Sequence, residues 1–255
     1  MARAPAFPLT RASAVAVVVE VDPNPGRTAW GRAGLAVWFR SSHAAKHDEV
    51  MRYRRAVEKL SELADKCERA KHWPPDEPFL LEAYVFGEVL AGADPLEAVE
   101  VALVLNLPPE EVPWESNPHG TQWLADELRL SKGGFVYWWR SHLEPVANHY
   151  IKDPVRLWSR EGPDGDVLAA LAERRFEDLP RFAVPAGAVQ EQTTAAVAVA
   201  LSHLRAVCDS YWDRDWRREH RGLGRYPEHE LWDAVNGYLD LHDAATPTAR
   251  PGGAG

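Results

Sequence analysis

The stretch from Phe79 to Leu107 most constrains what this chain can fold into. Leu80 to Phe86 and Val99 to Leu105 are short apolar runs rich in Val, Leu and aromatic residues, and Gly92-Ala-Asp-Pro95 between them supplies turn chemistry. Runs of this length, bounded by Gly and Pro, predict two paired, buried strands in place of one helix. Gly87 and Glu88 close the first strand, and Glu97 and Glu100 open the second.

From Arg52 to Lys71, the apolar positions Tyr53, Ala56, Val57, Leu60, Leu63, Ala64 and Cys67 recur at intervals of three and four. That spacing predicts an amphipathic, core-packing helix, ended by His72-Trp73-Pro74-Pro75. Pro108 through Trp114 breaks regular structure ahead of a predicted helix from about Thr121 to Leu130, with Gly133 placed to end it. Gly134 to Arg140 reads as a third strand and Pro154 to Ser159 as a fourth. Asp164 is suited to cap a short helix through Val167, Leu168, Leu171 and Phe176.

The Pro-punctuated link Pro180 to Pro185 then separates a mixed part from two helices. Val197, Leu201, Leu204, Cys208 and Tyr211 make a seam on the first, expected from about Ala188 onward. Leu231, Trp232, Val235, Tyr238 and Leu239 make a stripe on the second, which begins at Pro227. The two helices are expected to pack together. The fold class is therefore α/β (α+β): a small mixed sheet with flanking helices and a C-terminal helical pair.

Domain organisation follows from the same pattern. Residues 51–180 are expected to form the α/β domain, 186–243 the helical pair packed on it, and 244–255 a disordered tail. Residues 1–50 show no helical or strand period, and Met51 directly precedes the first well-patterned helix. They are expected to be either a disordered extension or the result of a start codon placed too far upstream. The apolar patch Ala14 to Val19 is short for the core of a signal peptide. Six Lys and Arg against four Asp and Glu leave this segment at +2, so the −9 of the whole chain implies −11 for residues 51–255.

A net charge of −9 argues against a surface that tracks phosphates along a nucleic acid, although a local basic patch is compatible with it. No apolar run reaches the roughly 18–20 residues of a membrane span, so no membrane partner is expected. Cys67 and Cys208 both fall on apolar stripes, which predicts two buried thiols in a reducing cytoplasm. There is no nucleophilic triad, phosphate loop or Cys/His metal cluster, and no cofactor is expected. His119, His142 and His149 lack zinc-site spacing. Eleven Trp is a high count, which points to aromatic cores and raises the prospect of an aromatic-lined pocket or interface.

The most loaded local sequence joins the last two helices: Asp209-Ser-Tyr-Trp-Asp-Arg-Asp-Trp-Arg-Arg-Glu-His-Arg-Gly-Leu-Gly-Arg-Tyr226. If the helix continues to His220, then Trp212, Trp216 and His220 line one side, with Arg214, Arg217, Arg218 and Arg221 on adjacent faces and Gly222 and Gly224 to stop it. One reading is an anion site, in which guanidinium forks meet phosphate or carboxylate and indoles offer stacking faces. The other is an internally compensated corner, because Asp209, Asp213, Asp215 and Glu219 can pair with the same arginines, Asp213 with Arg217 in favourable order. The expected function is a non-catalytic domain that binds a partner or a nucleotide-sized anion, with this corner as the contact; a protein partner or homo-oligomer is expected, with a nucleotide or RNA the less favoured ligand.

Three resemblances bear on function. Val85-Phe86-Gly87-Glu88, a short loop and an acid-bearing strand resemble the core of small nucleotidyltransferases of the polymerase-beta type. Those proteins place Gly-Ser at the end of the first strand and two Asp one residue apart on the next. Carboxylates at i and i+2 of a strand share a face and can hold divalent metals. Here Glu88 stands at the Ser position, and Glu97 and Glu100 are three apart, on opposite faces of a regular strand. The resemblance thus implies a catalytically degenerate domain. Arg214 and His220 bracket five residues, as in the Arg-x(4–6)-His signature of HEPN-type ribonucleases. The alternative function is a divergent enzyme, either a nucleotidyltransferase or a ribonuclease using Arg214 and His220. Finally, the Phe86-Gly87-Glu88 hairpin, Ser131 to Arg140, Ser210 to Arg221 and Trp232 to Asp240 together resemble an actinobacterial family of unknown function over about residues 51–243. That resemblance supports Met51 as the start of the ordered domain.

Overall fold

The computed structural model of the chain describes residues 50–72, 78–132, 134–222 and 226–246. The expectations for residues 1–49 and 247–255, and for Gly133 and Gly224, lie outside these residues.

The first helix, α1 (Tyr53–Ala70), buries Tyr53, Ala56, Val57, Leu60, Leu63, Ala64, Cys67 and Ala70, the stripe that the spacing predicts plus one more turn. Its start is tied down by Met51, whose N–H donates to Leu96 O (2.7 Å) and whose carbonyl accepts from Leu96 N (2.8 Å). Polar ends of buried residues fix its orientation. Tyr53 Oη donates to Leu171 O at 2.7 Å, and Trp158 Nε1 donates to Glu68 Oε2 at 3.0 Å.

Strands β1 (Leu80–Phe86) and β2 (Val99–Leu105) have the expected limits and pair antiparallel, with Val85 opposite Val101. β3 (Phe135–Ser141) lies parallel to β2, from Val99 opposite Phe135 to Leu105 opposite Ser141. β4 (Val155–Ser159) pairs antiparallel with the free edge of β1, and the two-residue β5 (Gly162–Pro163) follows it. The sheet order is β3-β2-β1-β4-β5. β1 and β2 are its middle strands, which is why they are nearly continuous apolar runs and lack a clear alternation. Between them the chain runs through a 3-10 helix, Gly87–Ala91, before it reaches the expected turn.

Two helices are shorter than their patterns predict. The segment expected from Thr121 to Leu130 is split into α2 (Gln122–Glu127) and a 3-10 turn, Leu130–Lys132, because Arg129 takes φ 55°. In α3 (Gly165–Ala172), Asp164 Oδ1 accepts from Val167 N at 3.2 Å, as a cap should. The helix stops before Arg174 (φ 58°), so Phe176 belongs to a separate turn and meets the Tyr53 ring edge-on at 6.0 Å.

Helix α4 (Ala186–Ser210), the short α5 (Arg214–Glu219) and α6 (Pro227–Ala245) complete the fold, with α4 packed on α6. Their buried faces differ from the predicted stripes. α4 buries Thr193, Ala200 and Val207, while Val197, Leu201 and Leu204 are only half-buried and Cys208 is exposed. α6 buries Pro227, Asp233, Ala234, Gly237 and Leu241, and leaves Trp232 48% and Leu239 50% exposed. Most of the buried positions are small, and the larger apolar side chains of the predicted stripes lie partly or largely in solvent. Between the Pro180 and Pro185 of the link, Phe182 N donates to Pro154 O at 2.9 Å, so this part is pinned to the sheet. Among the described residues no helix is long and apolar enough to cross a membrane.

Candidate functional site

Gly87 leaves β1 with φ +75°, and a methyl group there would fall on the Glu100 carboxylate. Glycine is needed on both counts. The space is used by Glu100, whose Oε1 accepts from Tyr150 Oη at 2.9 Å. Phe86, Gly87, Leu90, Glu100, Tyr150, Lys152, Asp153 and Arg181 line a recess of about 380 Å³ at this end of the sheet. Lys152 Nζ donates to Asn148 O (3.1 Å), and Arg181 Nη2 donates to Leu90 O (3.1 Å). Glu88 and Glu97 are both exposed, and Glu97 precedes β2. The position two before Glu100, on the same face of the strand, is Ala98, so the recess holds no paired carboxylates from β2.

The corner is not one continuous helix. The chain turns at Tyr211–Trp212, and Asp213 Oδ1 accepts from Asp215 N (2.9 Å) and Trp216 N (2.8 Å) to start α5 afresh. Asp213 is therefore a cap, and the expected Asp213–Arg217 pairing gives way to Arg217 Nη2 donating to Glu228 Oε1 at 2.7 Å, with the guanidinium 4.9 Å from the Tyr211 ring centre. Arg218 pairs with Asp215 at 3.1 Å. Arg214 and Arg221 are exposed, and Trp212, 83% exposed, stands apart from the intended row. Arg214 and His220 sit at opposite ends of α5, and six residues turn the helix by about 240° between them, so they do not share a face.

Trp216 and His220 do remain together, with ring centres 4.1 Å apart and planes at 23°. His220 Nδ1 is 2.8 Å from Trp216 O. Both line a cleft of about 770 Å³ whose other polar walls include Glu110, Glu111, His119, His203 and Glu230. Burial lowers the His203 pKa, with Glu230 opposing. Among the described residues no group of three or more His, Cys, Asp or Glu could hold a metal ion.

Both regions lie within residues 51–247, the stretch matched by the model of a family described as Domain of unknown function (DUF7711). The chain belongs to that family. The match opens at Met51, the residue bridged to Leu96 at the head of α1. No curated protein and no solved structure matches the chain.

In this DUF7711 chain a third polar cluster joins α6 to the loops that follow β2 and β3, and sequence patterning missed it. Asp240 Oδ2 accepts from Trp114 Nε1 (2.7 Å) and lies 2.9 Å from His149 Nε2. Glu115, at φ 61°, stands beside Asp240 and Asp233. Burial, and then those two carboxylates, push its pKa up to about 8. Gly237 admits the backbone here, since a methyl on it would overlap Trp114 O. Glycine inside an otherwise regular helix was the one signal in the sequence that something approaches closely.

Proposed function

We propose that this DUF7711 chain is a catalytically degenerate, nucleotidyltransferase-like domain that holds a nucleotide-sized anion in the recess beneath Gly87. The observation that carries the reading is that Lys152 and Arg181 line the same recess as Glu100. Metal-dependent transfer needs two carboxylates on one face. With Ala98 two residues before Glu100, and Glu100 accepting from Tyr150, one engaged carboxylate remains on β2. Lys152 and Arg181 each spend one donor on a backbone carbonyl, which leaves further N–H groups to meet phosphate oxygens directly. Glu100 and Asp153 offset this charge, which favours a modest, salt-sensitive affinity. The arginines of the corner suit this role less well, since Arg217 and Arg218 are paired with acids. Two free thiols, one of them exposed, fit a reducing compartment such as the cytoplasm.

Calorimetric titration with ATP tests the reading. Binding is expected to be equal with magnesium or with chelator, to weaken as salt rises, to fall at least about tenfold in Lys152→Ala/Arg181→Ala, and to be unchanged in Arg217→Ala. No binding would sink the proposal, and magnesium-dependent binding lost in Glu100→Gln would restore the enzyme.

A second reading, a protein partner or a second copy at the corner, is favoured by the exposure of Trp212. Sedimentation that depends on concentration, and loses that dependence in Trp212→Ser, would decide for self-association there.

A further inference from the structure

We infer that one ordered water molecule joins the sheet to the helical pair, bound by Arg140, His149 and Gln192. Arg140 is 4% exposed. Its Nη2 donates to Glu144 Oε2 and to Pro145 O, each at 3.2 Å, while its Nε is buried without a protein partner. His149 Nε2 faces the Asp240 carboxylate at 2.9 Å, and a carboxylate only accepts. In the tautomer that donates from Nε2 to this carboxylate, Nδ1 is an acceptor, and it too is buried without a protein partner. Gln192 Nε2 donates to Pro145 O at 3.1 Å, and this assigns the other amide atom, Oε1, as a third buried polar atom without a protein partner.

The three side chains come from β3, from the loop after it and from α4, yet all line one cavity of about 20 Å³. A water needs roughly 10–15 Å³ on that measure and two to four polar partners. The cavity accommodates one water and is too small for an organic ligand.

The chemistry of the three atoms selects among small occupants. With His149 in that tautomer they offer one donor, Arg140 Nε–H, and two acceptors, His149 Nδ1 and Gln192 Oε1. An anion would satisfy the guanidinium but face two lone pairs. A cation would satisfy the lone pairs but face the guanidinium. A water accepts from Arg140 and donates to both acceptors, so every group is satisfied at once. Because His149 also holds Asp240 of α6, the water sits on a polar path from β3 to both helices of the pair.

A crystal structure at about 1.5 Å resolution tests this, with a bromide-soaked crystal measured alongside. The expected result is a single density peak within hydrogen-bond distance, about 2.7–3.2 Å, of all three atoms and without anomalous signal from bromide. Bromide at that peak would make the site anionic and overturn the proposal, as would a direct Arg140 Nε to Gln192 Oε1 bond or an absence of density. Gln192→Leu keeps the size of the side chain and removes one acceptor, and the peak is expected to vanish. If that variant does not fold, oxygen-17 relaxation dispersion on the unaltered protein provides the check. A water exchanging slowly on the nanosecond scale supports the site, and none at all overturns it.

Discussion

At pH 9 the Glu115→Gln variant is expected to resist urea better than the parent chain by about 2–3 kcal/mol, while at pH 4 the two unfold together. Glu115 has its pKa pushed up to about 8, first by burial and then by Asp240 and Asp233. In the unfolded chain it titrates near 4.3, so between these values the folded state keeps a proton that the unfolded state releases. Stability from this group is therefore fully present below about pH 4 and is lost as pH rises through 8. At about 1.4 kcal/mol per pH unit the full interval would be worth ~5 kcal/mol, which partial access of solvent to the side chain reduces to the smaller figure. Trp114 Nε1 and His149 Nε2 face Asp240 in this cluster and leave no cation for Glu115 itself. Glutamine mimics the neutral acid. Urea midpoints at four pH values check this, and parallel curves for parent and variant would rule it out.

Gly237→Ala should destabilise the protein by about 1–3 kcal/mol, against the usual sign for such a change. Within a helix, alanine is normally better than glycine by about 1 kcal/mol. On α6 the added methyl would overlap the carbonyl oxygen of Trp114, a backbone atom in a loop held by its own side chain. Trp114 Nε1 bonds Asp240, and its ring stacks on Trp138 at 6.2 Å, so the loop has little room to retreat. Overpacking of this kind typically costs about 1–3 kcal/mol, and both rings must shift to relieve it. Chemical unfolding gives the free energy, and near-ultraviolet circular dichroism should report the displaced indoles. A gain in stability would show that the loop yields freely.

The middle of the sheet and α1 were legible because large apolar residues recur there with one period and one purpose. Leu80–Phe86 and Val99–Leu105 are buried central strands, and the Tyr53 to Cys67 stripe faces them. The C-terminal pair was harder, since its buried positions include Thr193, Ala200, Ala234 and Gly237, whose small size matters only once the surface against them is known. Cys208, which its apolar neighbours suggested was buried, is exposed. Gly87 and Glu100 were visible as a glycine at a strand end and an acid in the next strand. Lys152 and Arg181 were not, because loops bring them to the recess from 52 and 81 residues beyond Glu100. Glu115, His149, Asp233 and Asp240 come together only through tertiary packing, of which Gly237 within α6 is the one local sign.

Of α4 and α6, only Ala200 and Leu241 join the buried apolar cluster as fully covered residues, whereas α1 and the sheet supply most of it. Lifting the pair away exposes less apolar surface than unfolding the sheet, so the molecule has a lower rung of opening beneath global unfolding. Hydrogen exchange is therefore expected to reach the amides of α4 and α6 before those of β1 and β2.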